Sequence, residues 1–158
     1  MVFAFLDIET SWEKYITVIG IYREGFGTRQ LIAPEISTEK LHELLDGVRV
    51  LFTYNGGNFD LPVIEQALGT DLRTRHTHRD LMFDCHKNKL KGGLKSVEKQ
   101  LGIHRDTEGV DGLQAMRLWE VHRKGDADAL ELLLLYNRED CENLAILAKK
   151  LKVWDALL

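Results

Sequence analysis

Four carboxylates and one phenol in this sequence have the types and spacing to do chemistry together. Asp7 and Glu9 lie two residues apart at the end of an apolar run that starts at Val2. Alternate residues of a strand share a face, so Phe3 and Phe5 begin a face that Asp7 and Glu9 finish. Two carboxylates so placed repel each other unless a proton or cation intervenes. By themselves they fit a strand end reaching water equally well. Asp60 follows Asn55-Gly56-Gly57-Asn58-Phe59 and precedes Leu61-Pro62. It reads either as a ligand or as the N-cap of a helix with an early proline. Asn55 and Asn58 suit turn positions, because Asn tolerates left-handed backbone.

Asp140 is harder to dismiss. Leu133, Tyr136, Asp140, Leu144, Leu147 and Leu151 recur at helical steps and define one stripe, apolar except for a phenol hydroxyl and a carboxylate. A carboxylate on a core-facing stripe is costly unless it is paired or bound to metal. Tyr136 lies one turn before it on the same face. Hard oxygen ligands from three segments suit Mg²⁺ or Mn²⁺ and do not suit zinc. Two such ions about 4 Å apart can activate a water and hold the leaving oxygen of an in-line phosphoryl displacement. Mutual repulsion among the acids also sets an expectation: Asp140→Asn removes activity while leaving the metal-free protein as stable or more so.

The elements that must position these residues are legible in outline. Val2 to Glu9, Tyr15 to Tyr22 and Thr28 to Ile32 read as strands, the last after a Glu24-Gly25-Phe26-Gly27 turn. Their close spacing predicts an antiparallel meander. A helix begins near Ser37 and stops at Gly47, and Val48 to Tyr54 reads as a buried strand. Pro62 suits a first helical turn that Gly69 closes. Beyond residue 80 the pattern is helical: Asp80 to Lys89, Leu94 to Leu101, Leu113 to His122, and Asp126 to about Leu151. Strands, one crossover and then helices predict an α/β domain with a mixed sheet, a single domain over 1–158.

Bulk properties are those of an ordinary globular chain, with 44% apolar and 29% charged residues. No apolar run approaches the roughly 20 residues that span a bilayer, so no membrane partner is expected. The N-terminus lacks a signal-peptide pattern, and two cysteines, Cys85 and Cys141, provide no disulfide framework. Both point to the cytoplasm. A net charge of −4 runs mildly against nucleic-acid binding, but two divalent ions would neutralise it.

Three segments resemble the motifs of the DEDDy 3′→5′ exonucleases of the ribonuclease H-like superfamily. They are Asp7-Ile8-Glu9-Thr10, Tyr54 to Pro62, and Tyr136-Asn137-Arg138-Glu139-Asp140. The second is similar to the proofreading domain of family-B DNA polymerases. Gly93 to Ile103, together with Tyr136 to Leu144, resembles stand-alone exonucleases of the YprB type. The resemblance implies a ribonuclease H-like fold, a five-stranded mixed sheet flanked by helices. It implies two Mg²⁺ or Mn²⁺ ions, with Asp7 bridging them, Glu9 and Asp140 completing the site of the nucleophile-activating ion, and Asp60 holding the second ion largely through water. Tyr136 would orient the attacking water, since a phenol pKa of about 10 makes a poor base at neutral pH. Thr10, Asn55 and Phe59 would meet the 3′-terminal nucleotides of a single strand, and the product would be a 5′-mononucleotide.

Other features divide between function and packing. Lys87, Lys89, Lys91 and Lys95 surround Gly92-Gly93 and could meet backbone phosphates, or could be a solvated helix end. Lys91 and Lys95 are the substrate-binding candidates among them. His76, His78, Cys85 and His86 match no zinc spacing. Trp12, Trp119 and Trp154 read as core or edge packing. The runner-up function is a non-catalytic nucleic-acid-binding or protein-interaction module on the same fold. Endonuclease action fits less well, because the Tyr-x-x-x-Asp element belongs to the exonuclease arrangement.

Overall fold

The computed structural model describes residues 1–155 and 157. Strands β1 (Phe3–Thr10), β2 (Ile16–Arg23) and β3 (Gly27–Ile32) form the expected antiparallel meander. Helix α1 (Thr38–Leu44) starts on Ser37, whose side chain accepts the Lys40 N–H. β4 (Val50–Thr53) then returns parallel to β1. After α2 (Asp60–Leu68), β5 (Thr77–Asp80) adds parallel to β4, giving a five-stranded mixed sheet of order β3-β2-β1-β4-β5. The chain ends in α3 (Leu81–Lys87), α4 (Leu94–Leu101), α5 (Gly112–Arg123) and α6 (Ala127–Lys150).

Strand alternation sorts β1 between two cores. Ala4, Leu6 and Ile8 pack with Leu41 of α1, Leu45 at its C-cap, and Leu61 and Ile64 of α2. Phe3 and Phe5 face the other way, into a cluster with Leu144 and Leu147 of α6 and Val97 of α4. Asp7 and Glu9 continue that second face, so the sheet aims both acids at α6. Among the described residues, no helix is long and apolar enough to cross a membrane.

Two elements differ from expectation. Residues 77–80 form a strand that their polar sequence does not announce. It is a short edge strand whose polar side chains are satisfied laterally: His78 meets Thr53 Oγ1 at 2.8 Å, and Arg79 pairs with Asp84. Asp80 is the N-cap of α3 rather than its first residue, accepting the Met82 N–H. Of the three tryptophans, Trp119 is buried and Trp154 packs on the core, but Trp12 is exposed.

Candidate active site

Asp7, Glu9 and Asp140 converge: each offers an oxygen, and the three oxygens lie within 4.8 Å of one another. β1 delivers the first two residues and α6 the third. α6 crosses closely here because Gly20, the β2 partner of Asp7, has no side chain. The space is filled by Asn137, which is fully buried. Gln30 Nε2 donates to Asn137 Oδ1 at 3.0 Å, which turns the amide nitrogen towards β1. That nitrogen donates to the carbonyl and carboxylate of Asp7, at 3.2 and 3.3 Å, and reaches Glu9 Oε1 at 3.5 Å.

Asp60 stands beside this group rather than within it. Its Oδ2 accepts the Ile8 N–H at 3.1 Å. β4 pairs with β1 only as far as Phe5, so the N–H of Ile8 lacks a strand partner and the carboxylate supplies one. The N-cap of α2 is Phe59, with no side-chain cap bond, so the capping reading of Asp60 does not hold. The acid that caps is Asp80, which also accepts the Asn55 and Gly57 N–H groups and fastens the intervening turn.

Asp140 carries two cations. Lys95 Nζ donates to its Oδ1 at 2.8 Å, and Arg105 Nη2 donates to the same oxygen. Lys95 also lies 4.4 Å above the ring of Tyr136. Lys95 is thus at the site, bonded to Asp140 rather than lying on a solvated helix end. Tyr136, one turn before Asp140, is buried with its ring under both cations. Thr10, Phe59, Gly112 and Met116 wall the cleft of about 270 Å³ above these residues. Asn55 and Lys91 do not line it. Asn55 takes the left-handed turn conformation (φ 57°) and accepts from the Asn58 amide, while Lys91 is exposed and its carbonyl anchors Ser96 and Gln100.

The electrostatics follow from burial without enough positive charge. Burial, then Asp140, Glu9 and Asp60, push the Asp7 carboxyl well above the usual carboxylate range. Burial and Asp140 push Glu9 from its ordinary 4.5 to about 8. Asp60 rises to about 7, chiefly through burial, against the opposing Ile8 hydrogen bond. Burial and Asp140 raise the Tyr136 hydroxyl above its ordinary value, so it stays protonated at neutral pH. Burial would lower Lys95, but Asp140, Tyr136 and Asp7 outweigh it and hold the ammonium charged.

An acid-lined end of a mixed sheet, crossed by a helix bearing Tyr and Asp one turn apart, defines a ribonuclease H-like nuclease architecture. The family model of the RNase_H superfamily matches residues 4–152, and the chain belongs to that superfamily. Its fold is similar to the family B DNA polymerase from the hyperthermophilic archaeon Pyrobaculum calidifontis, with a TM-score of 0.75 and 17% identity, over 96% of this chain and 24% of the polymerase. The chain therefore spans about a quarter of that polymerase's length. No curated protein matches the chain.

RNase H-like nucleases use divalent metals, and these residues fit one: the ligand set is all hard oxygen, and Asp7 and Glu9 have an amide but no cation bonded to them. No other group of metal-ligating residues occurs among the described residues. The zinc reading falls with that, since His76 bonds the Val48 carbonyl and His78 bonds Thr53.

The raised carboxyls predict a pH dependence. Their folded values exceed the unfolded ones, so the metal-free fold favours their protonated forms. That contribution to stability is complete below about 3.8 for Asp60 and about 4.5 for Glu9, and is lost as pH rises through about 7 and 8. A divalent ion must displace the same protons. Mn²⁺ affinity is therefore expected to climb between about pH 6 and 8.5 and then level, with proton release on binding. Calorimetry in buffers of different ionisation enthalpy reads both quantities, and flat affinity over that range would show the acids already ionised.

Proposed function

We propose that this chain is a metal-dependent 3′→5′ exonuclease that removes 5′-mononucleotides from single-stranded DNA or RNA. The observation that carries the reading is the meeting of Asp7, Glu9 and Asp140 with Tyr136 on the same helix face, one turn before Asp140. Superfamily membership and a fold similar to a DNA polymerase's support a nucleic-acid substrate. In this reading Asp7, Glu9 and Asp140 hold divalent cations, two Mg²⁺ or Mn²⁺ ions, and Asp60 serves the second ion from the edge of β1 that β4 leaves unpaired. The ions supply Lewis-acid activation of water and of the leaving oxygen. The chain's own residues do the positioning. Tyr136, kept protonated, orients the water through its hydroxyl rather than acting as a base. Phe59, exposed at the cleft rim, offers a ring for a terminal base, and Thr10 and Met116 complete the wall around it.

One observation favours the runner-up, a non-catalytic binding module: Asp140 is satisfied by Lys95 and Arg105 without any metal. Asp7 and Glu9 argue the other way, because setting a half-buried and a buried acid side by side without a bonded cation stabilises nothing in a module that only binds. Incubation of 5′-labelled single-stranded DNA and RNA with Mn²⁺ or Mg²⁺ separates the two readings. The expected outcome is a ladder shortening from the 3′ end, absent with chelator and in Asp7→Ala. No cleavage of either polymer under any divalent metal would overturn the exonuclease reading.

A further inference from the structure

The segment after α4 is built to deliver one guanidinium. Asn143 Nδ2 donates to the His104 carbonyl at 3.2 Å, and the Glu139 carboxylate accepts the Asp106 and Thr107 N–H groups at 2.6 and 2.8 Å. Both anchors stand on α6, beside Asp140. Between them Arg105 turns inward, with its side chain only 5% exposed. Nε and Nη2 donate to the two oxygens of Glu98 on α4, at 2.8 and 2.7 Å, and Nη1 reaches Thr107 Oγ1 at 3.3 Å. Nη2 also donates to Asp140 Oδ1.

We infer that Arg105 is a positioning residue for Asp140, gripping Oδ1 so that Oδ2 is presented to the space shared with Asp7 and Glu9. Both cations at Asp140 bond Oδ1, and no protein donor bonds Oδ2 among the described residues. Only one of the two cations can fix a direction. Lys95 is 36% exposed, hangs on a flexible stem, and has Asp140 as its one ion-pair partner among the described residues. Arg105 is planar, with all three of its nitrogens bonded to neighbours, so its fork has one orientation. Four of its five N–H donors are taken in that orientation, leaving one on Nη1. Glu98 completes the device from the apolar face of α4, where Leu94 and Val97 are buried beside it. The chain from Glu98 through Arg105 to Asp140 is an outer-sphere support of the kind that orients metal ligands.

This inference rests on the metal-dependent nuclease reading, and the test distinguishes the two. Arg105→Lys keeps the charge and loses the fork, so any effect on metal is one of orientation. Glu98→Gln keeps one acceptor and releases the fork's second arm. For each variant, Mn²⁺ affinity is read by calorimetry without substrate, foldedness by circular dichroism, and kcat and KM on a labelled oligonucleotide. The expected result for Arg105→Lys is a folded protein with Mn²⁺ affinity and kcat each reduced about 10-fold. Oligonucleotide KM should stay within about twofold of the parent value. Glu98→Gln should show the same pattern to a smaller degree, and decides the matter if Arg105→Lys does not fold. A folded variant with parental Mn²⁺ affinity and kcat overturns the inference, as does a raised KM at unchanged kcat, which would make Arg105 a substrate contact. A parent that neither binds Mn²⁺ nor cleaves overturns the nuclease reading, and this inference falls with it.

Discussion

Asp140→Asn is expected to destabilise the metal-free protein by about 3 kcal/mol, the lower end of what breaking a buried ion pair costs. Asp7→Asn, made in the same cluster, is expected to stabilise it. The opposite signs come from where the positive charge is. Asp140 neutralises Arg105, whose side chain is 5% exposed, and shares Lys95. With Asn at 140, Arg105 keeps only Glu98 as a charged partner in a buried setting. Lys95, more than a third exposed, turns to water, so most of the loss falls on the guanidinium. Asp7 has no cation bonded to it, and its carboxyl is raised by burial, Asp140, Glu9 and Asp60. Removing its charge relieves repulsion while an amide oxygen can still accept from Asn137. Both variants should lose about 1,000-fold in nuclease rate, the factor implied by about 4 kcal/mol of lost metal-assisted stabilisation. Thermal unfolding in chelator near pH 8.5, above the value of about 8 for neighbouring Glu9, checks the signs. Equal melting points for Asp140→Asn and the parent would show that the cations do not depend on Asp140.

This reverses the expectation drawn from sequence, and the reason for the reversal shows what a sequence carries. An acid in the stripe Leu133, Tyr136, Leu144, Leu147 is visible because helical periodicity predicts burial, and burial makes charge costly. Its compensation is not visible in the same way. Arg105 lies in the irregular segment between α4 and α5, which has no period to place it, and it reaches Asp140 only through anchors on Glu139 and Asn143. One signal did exist. Glu98 sits one turn after Leu94 on the apolar face of α4 and is buried. A buried carboxylate on that face needs a cation just as Asp140 does, and Arg105 is that cation.

The same contrast runs through the rest of the site. Asp7 and Glu9 were legible because strand alternation alone aims them, and the meander was legible from β-branched runs and turn residues. β5 was not, because Thr77-His78-Arg79-Asp80 is polar and acquires its strand only by pairing with β4. Asn137 was missed although it adjoins Tyr136, because a buried amide in a helix leaves no pattern. Its role depends on Gly20, more than a hundred residues earlier, and on Gln30.

Gly20→Ala is for that reason expected to cost about 2–3 kcal/mol, the scale of overpacking in a closed core. A Cβ on Gly20 would collide with Asn137 Oδ1 and come within 2.7 Å of Cys141 Sγ, both carried by α6. β2 cannot yield easily, since it is paired on both sides by β1 and β3. The helix must shift, and Tyr136 and Asp140 shift with it. A displacement of about 1 Å at the reacting groups is enough for a 100-fold loss of rate. Gly93→Ala is the control, because an added methyl there meets open space and the backbone is unstrained (φ −74°). Denaturant unfolding and oligonucleotide kcat read the two effects. Adding Asn137→Ala to Gly20→Ala separates them further. It removes the nearest collision and leaves the Cys141 contact, so stability should partly return. Activity should not, because the amide that ties α6 to Asp7 and Glu9 is then gone. Recovery of both together would mean that the close crossing of α6 over β2 matters for packing alone.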